Sequence, residues 1–323
     1  MNKDKENLTM SESEYVIVAD SLVKQFPNKL AVNGISLKVK KGEVFGILGP
    51  NGAGKSTFLK MLTTLIPITS GKATIFGKDV EKNSSEVRKH IGLTGQFATI
   101  DETLTAMENL MIFSELNGLS KVKSKERSLE LLKQFSLIEA KDIPIKEFSG
   151  GMRRRLDLAV SLITSPPIIF LDEPTTGLDP VTRGEMWDVI RNLVQSGSTV
   201  VLTTQYLEEA DQLADRIAVI NHGEVVAEGT PEELKSLVGD TYFEITVANV
   251  ENCEKAQKIV ADLTETDVVS LPERASFAVK MLDTTEMISI LENLKEQNID
   301  VKEFTVRKPT LDEVFIELTK GGK

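Results

Sequence analysis

An α/β domain built on a parallel sheet, followed by a small α+β unit, is the fold class this sequence predicts. Three observations carry the prediction. Short strand-like runs alternate with helix-like stretches from about residue 15 to residue 230, an order that builds a sheet covered by helices. Two of those runs, Ile168-Ile169-Phe170-Leu171 and Thr199-Val200-Val201-Leu202, are apolar almost throughout, as suits strands buried on both faces. Near Gly229-Thr230-Pro231 the pattern changes, and 323 residues exceed one ordinary domain.

Taken in order, residues 1–14 are polar and aperiodic and read as a disordered tail. Tyr15-Val16-Ile17-Val18, Ile35-Ser36-Leu37-Lys38-Val39 and Glu43-Val44-Phe45-Gly46-Ile47-Leu48 read as strands. Phe58, Leu62 and Leu65 follow at helical spacing. From about 97 to 165 the chain is helix-rich, with amphipathic stretches around Met107–Leu116 and Arg127–Phe135. Ser149 suits a helix N-cap, and Met152, Leu156, Ala159 and Ile163 make the buried stripe of the helix it opens. Arg153-Arg154-Arg155 reads as a solvated face with no chemistry. His222-Gly223 falls between two apolar runs and reads as a hairpin turn. The domain expected at 15–230 then ends. For 240–323 the spacing predicts strand 242–248, helix 251–264, strands near 267–271 and 275–281, helix 284–297, strand 300–307 and helix 310–319. That order points to a ferredoxin-like antiparallel sheet. It holds no convergent catalytic set, and reads as a regulatory or assembly module.

Bulk properties narrow the classes of function. A net charge of −11 disfavours nucleic acid as a partner, since phosphate backbones demand a basic face. No apolar run approaches the ~20 residues that span a bilayer, so no direct membrane insertion is expected and any membrane association comes through a partner. Cys253 is the sole cysteine, which excludes an internal disulfide. With His90 and His222 it makes no metal-ligand spacing.

The chemistry concentrates between strand 43–48 and the helix after it. Gly49, Pro50, Asn51, Gly52, Ala53, Gly54, Lys55, Ser56 and Thr57 read Gly-x-x-x-x-Gly-Lys-Ser. Glycines there let backbone N–H groups wrap a phosphate, and the helix N-terminus adds its positive dipole end. Lys55 reaches β/γ-phosphates and Ser56 offers its hydroxyl to Mg²⁺, so the chain is expected to bind a nucleoside triphosphate. Leu171-Asp172-Glu173-Pro174 closes a buried strand. Beside a phosphate loop, Asp172 suits a Mg²⁺ ligand and Glu173 a group that orients or deprotonates water. An acidic strand end capping the next turn is the plainer alternative. Ser149, Gly150 and Gly151 leave backbone N–H groups bare for a second anion, or form a simple capped turn.

Together these residues resemble the nucleotide-binding subunit of ATP-binding-cassette (ABC) transporters, over roughly residues 15–230. The resemblance implies a P-loop NTPase cassette with a helical subdomain at about 97–165, and ATP and Mg²⁺ as its ligands. It implies that Gln96, in Gly92-Leu93-Thr94-Gly95-Gln96, contacts the metal site and senses a membrane subunit. Asp179, in Gly177-Leu178-Asp179, looks like the D-loop aspartate. Phe26 stands where the family stacks an aromatic on adenine, although a core aromatic between strands reads as well. Gln205 replaces the family's switch histidine; its amide can donate to a γ-phosphate but cannot be protonated. Two copies are implied to meet head to tail, ATP lying between one phosphate loop and the other's Ser149-Gly150-Gly151.

Phe148-Ser149-Gly150-Gly151-Met152-Arg153-Arg154-Arg155, Thr203–Asp211 and Lys308-Pro309-Thr310-Leu311-Asp312-Glu313-Val314-Phe315 look like the daunorubicin-resistance type of ATPase. Such a subunit is implied to serve a separate integral membrane permease at the cytoplasmic face of the membrane and to power drug or antibiotic export. Leu311, Val314, Phe315 and Leu318 make a helical apolar face in its last helix. A soluble cassette ATPase acting on ribosomes or DNA, or a nucleotide-dependent regulator, is the alternative. The single phosphate loop, the short interval before Ser149 and the acidic charge weigh against the first.

Overall fold

The computed structural model describes residues 14–95, 100–237, 241–264, 266, 268–271, 275–280 and 284–320. The tail expected at 1–14 lies, except for Glu14, outside them. Two compact units divide between Thr230 and Pro231.

In the first unit, β1 (Tyr15–Phe26), β2 (Lys29–Lys40), β3 (Val44–Leu48) and the helix α1 (Lys55–Leu62) come first. There follow β4 (Ser70–Ile75), β5 (Lys78–Asp79), α2 (Ser84–Arg88) and β6 (Ile91–Thr94). Helices α3 (Ala106–Leu116), α4 (Lys121–Gln134) and α5 (Gly150–Ser161) come next. The unit closes with β7 (Ile168–Asp172), α6 (Pro180–Gln195), β8 (Thr199–Thr204), α7 (Leu207–Leu213), β9 (Arg216–Asn221) and β10 (Glu224–Gly229).

The larger sheet runs β10-β9-β3-β8-β7-β6, parallel except for the β9–β10 hairpin. Its strands show why apolar runs mark it. Phe45, Ile47, Ile168, Phe170 and Val201 enter one core with α1, while Val44, Ile169, Leu171, Val200 and Leu202 enter a second with α3, α4 and α5. Successive side chains alternate faces, and here both faces are covered. His222 and Gly223 turn the hairpin with φ of 47° and 85°, the positive pair that a type I′ turn needs. The Thr105 hydroxyl accepts from the Glu108 amide while the Glu108 carboxylate accepts from the Thr105 amide, a reciprocal cap that starts α3.

One expectation is extended and one is corrected. Tyr15–Val18 and Ile35–Val39 are parts of longer strands, joined with β4 and β5 in a separate antiparallel sheet of order β2-β1-β4-β5. Leu65 does not continue α1: the helix ends at Leu62, Thr64 turns left-handed at φ 63°, and Leu65 is 58% exposed.

The second unit opens with α8 (Pro231–Ser236) and continues through β11 (Tyr242–Val247), α9 (Cys253–Thr264), β12 (Val268–Leu271) and β13 (Ser276–Lys280). It ends with α10 (Thr284–Glu296), β14 (Val301–Arg307) and α11 (Leu311–Lys320). Its sheet runs β12-β13-β11-β14, every neighbouring pair antiparallel, which is the split βαββαβ arrangement expected for a ferredoxin-like unit. Phe243, Ile245, Val260, Phe277 and Leu294 fill its core. Arg307 binds Glu244 at 2.7 Å and Glu313 at 2.6 Å, tying β14 to β11 and to α11. Leu311 and Val314 are the buried part of the α11 face. Among the described residues no helix is long and apolar enough to cross a membrane.

Candidate active site

The phosphate loop leaves β3 at its C-terminal end, where parallel sheets place ligands. Gly49 and Gly54 are pressed against neighbouring strands: an added Cβ would meet the Ile220 carbonyl oxygen at 2.2 Å and that of Ala31 at 2.3 Å. Gly54 also has φ 110°, a conformation side chains rarely adopt. The Ala53 carbonyl accepts from the Gly223 amide at 2.9 Å, which pins the loop to the hairpin turn. Amides of Asn51, Gly52 and Gly54 through Thr57 make no backbone hydrogen bond to a described residue. They form a row of donors at the start of α1, suited to a polyanion. The Lys55 ammonium, 4% exposed, donates to the carbonyls of Gly49 at 2.8 Å and Pro50 at 3.2 Å. A cavity of about 170 Å³ opens over the loop, lined by Lys29, Asn51, Gly52, Lys55, Thr57 and Glu173 among others. On its rim, Lys29 donates to the Gly52 carbonyl at 3.3 Å.

The acidic strand end meets the loop. Ser56 Oγ donates to Asp172 Oδ1 at 2.8 Å, and Glu173 Oε1 lies 3.4 Å from Lys55 Nζ. Asp172 pairs with Thr203 across β7 and β8, and the Thr203 hydroxyl donates to the same Oδ1 at 2.6 Å. Glu173 sits at φ 51°, its amide donating to both the carbonyl and the hydroxyl of Thr203 at 3.1 Å. Thr176 Oγ1 donates to its Oε2 at 3.3 Å. The two adjacent carboxylates thus serve different partners, one the helix serine and the other the lysine.

Glu173 also lines a second cavity, of about 380 Å³, together with Gly150, Arg153, Arg154, Thr176 and Gly177. Ser149 caps α5, its hydroxyl accepting from the Met152 amide at 3.2 Å. At Gly151 an added Cβ would lie 2.2 Å from Thr182 Cγ2, so the Thr182 side chain would have to move. Asp179 caps α6, and hydrogen bonds from the Thr182 hydroxyl and amide hold its carboxyl below the usual range. Ser149, Gly151 and Asp179 are not among the residues lining the phosphate-loop cavity. Gln205 is half-buried in the turn between β8 and α7. Phe26 ends β1, 39% exposed with Lys24 Nζ 5.3 Å from its ring centre, and lines neither cavity. Gln96 lies outside the described residues.

One reading of the sequence is overturned. Arg154 is not part of a solvated face: its side chain is 15% exposed and its guanidinium binds the carbonyls of Asp172, Glu173, Pro174 and Gly95. Asp157, three residues on, is 5% exposed on the same helix face, a burial that only the structure shows. Arg154 Nη1 lies 3.7 Å from its Oδ2, the i, i+3 spacing that puts two side chains on one helix face. Thr203 was likewise legible only as a strand residue.

Two family descriptions match the chain: "ABC transporter" over residues 32–176, and "ATP-binding protein DrrA1-3-like, C-terminal domain" over residues 229–319. The daunorubicin/doxorubicin resistance ATP-binding protein DrrA of Streptomyces peucetius is 44% identical over 303 residues, covering 94% of this chain and 92% of that one. The doxorubicin resistance ATP-binding protein DrrA of Mycobacterium tuberculosis (strain ATCC 25618 / H37Rv) is 40% identical over 300 residues, covering 90% and 88%. An ATP-binding cassette of an ABC transporter, solved in its ADP conformation, matches with TM-score 0.62 and 27% identity over 68% of this chain and 92% of that one. A dimeric cassette bound to ADP and Pi in a post-hydrolysis state matches with TM-score 0.60 and 28% identity over 66% and 98%. Phosphate loop, acidic strand end and C-terminal unit thus have one explanation: the chain belongs to the ABC transporter ATP-binding proteins, in their DrrA-like branch, and is a transporter's ATP-binding ATPase subunit.

Proposed function

We propose that this chain hydrolyses Mg·ATP between two of its own copies, at the cytoplasmic face of the membrane, to drive export of drug- or antibiotic-like molecules through a separate permease. The observation that carries the proposal is the convergence of Ser56 on Asp172 at 2.8 Å and of Lys55 on Glu173 at 3.4 Å. Lys55 and the loop amides bind and orient the triphosphate. Ser56 and Asp172, with Gln96 as the family resemblance implies, would hold Mg²⁺. The fit is chemical: both are oxygen donors, and Mg²⁺ takes one or two protein oxygens and completes its shell with phosphate and water. Among the described residues no group of three His, Cys, Asp or Glu competes for it. Bound there, the ion neutralises charge that builds on the phosphates. Glu173 orients the attacking water and takes its proton. Ser149, Gly150, Gly151 and Asp179 act across the copy interface, consistent with their absence from the phosphate-loop cavity lining. Phe26 supplies an aromatic face for adenine.

Gln205 positions phosphate without joining proton transfer. Gln205→Ala is expected to lower steady-state ATP hydrolysis by roughly a hundredfold, the order of effect for one lost donor to developing charge. An unchanged rate would remove that role.

The export proposal is tested with the chain co-expressed beside its permease. ATP hydrolysis by the membrane complex is expected to rise several-fold on adding an anthracycline, and both chains to copurify. Equal hydrolysis with and without membranes and drug would favour the regulator reading.

A further inference from the structure

We infer that Arg154 is a positioning residue for the reaction: it sets the Glu173 carboxylate by gripping the peptide carbonyls around it. The inference rests on the role proposed above for Glu173. Arg154 stands on α5, a little over one turn after Ser149. Its Nε donates to the Pro174 carbonyl at 2.9 Å, and Nη2 to those of Asp172 at 3.0 Å and Glu173 at 3.1 Å. Nη1 donates to the Gly95 carbonyl at 2.7 Å and lies 3.7 Å from Asp157 Oδ2. A guanidinium carries its five donors in one rigid plane. Three consecutive carbonyls are therefore held in a single arrangement.

That arrangement is one the chain would not choose unaided. Glu173 adopts φ 51°, uncommon for a residue with a side chain, and such a conformation persists only where its surroundings over-determine it. On the amide side Thr203 does so, accepting from Glu173 N through two oxygens. Arg154 does so on the carbonyl side. The carboxylate between them faces Lys55 at 3.4 Å, so a relaxed peptide would swing it away from the phosphate loop. Burial pushes the Arg154 guanidinium down from its ordinary value, with Asp157 and Asp172 drawing it back up.

The test compares R154K and R154M with the parent chain, each alone and combined with E173Q, in steady-state and single-turnover ATP hydrolysis. R154M is expected to lower kcat by about tenfold to a hundredfold, the effect of moving a reacting group by an ångström. KM for ATP should stay within about twofold, since nucleotide binding is left to the phosphate loop. R154K keeps the charge without the fork and should recover only a small part of the loss. In the E173Q background, R154M should cause no further fall, because groups acting as one unit are not additive. Melting curves with and without Mg·ATP identify which variants fold and bind; should R154M not fold, R154K carries the same comparison. Full activity in R154K, a change in KM alone, or an equal loss in the E173Q background would overturn the inference. Wild-type turnover in E173Q would remove the base itself, a failure visible without any Arg154 variant.

Discussion

Replacing Glu173 by glutamine is expected to stop turnover while sparing ATP binding. The amide keeps the size and hydrogen-bonding reach of the carboxylate but cannot take a proton. The rate should fall by about 10³-fold, within the range a general base contributes. Lys55 retains the carbonyls of Gly49 and Pro50 as partners and stays placed for the phosphates. It loses a carboxylate 3.4 Å away, so affinity for the triphosphate should hold or rise. With hydrolysis blocked, the Mg·ATP-joined pair proposed above should persist, since a ligand held between two copies favours their closed arrangement. Size-exclusion with light scattering reads the pair, and radiolabelled phosphate release reads turnover. Multiple turnovers at the parent rate would deny Glu173 its part.

The second large effect is expected at Gly54. In Gly54→Ala a Cβ must fit 2.3 Å from the Ala31 carbonyl oxygen, at φ 110°. Backbone rather than a flexible side chain stands in its way, so loop or strand must shift. Left-handed strain alone costs roughly 1–2 kcal/mol. With the clash, a loss of about 3 kcal/mol is expected, which lowers Tm by roughly 6–12 °C in a unit of this size. The amides of Lys55, Ser56 and Thr57 begin at this residue, so ATP should no longer raise the melting temperature. Calorimetry with and without Mg·ATP measures both effects. A variant that melts within 2 °C of the parent and binds ATP normally would show that the loop is less confined than these distances imply.

Much of this was legible in one dimension, and the exceptions share a cause. Residues 242–319 alternate apolar and polar letters at strand and helix periods, and the observed elements Tyr242–Val247, Thr284–Glu296 and Val301–Arg307 fall within a residue of those expected. The runs at 168 and 199 were plain because both sheet faces are covered, leaving no polar letter to interrupt them. β1 was read short because its second half carries Ser21, Lys24 and Gln25. Lys24 is nonetheless 8% exposed, its charge met by the Pro67 carbonyl at 2.6 Å. Arg154 was missed for the same reason. In both cases a charged side chain is buried by hydrogen bonds to main-chain carbonyls, and no residue identity at the receiving end records the contact. α5 itself is enclosed on more than its apolar stripe, with Asp157 and Leu158 buried beside Leu156 and Ala159. Asp172 and Glu173 could be found because two adjacent acids after an apolar run are conspicuous. That the acids divide between Ser56 and Lys55 is a matter of backbone geometry at the strand end, which no letter encodes.

Thr203 has a consequence for how this machine can vary. Its hydroxyl donates a hydrogen bond to one acid's carboxylate and accepts one from the main-chain amide of the other, so both acids hang from a single bracket. Any drift of that strand tip carries both acids together, and with them the metal and water roles proposed above. Retuning one half of the chemistry without disturbing the other therefore requires change elsewhere, at the serine or the lysine.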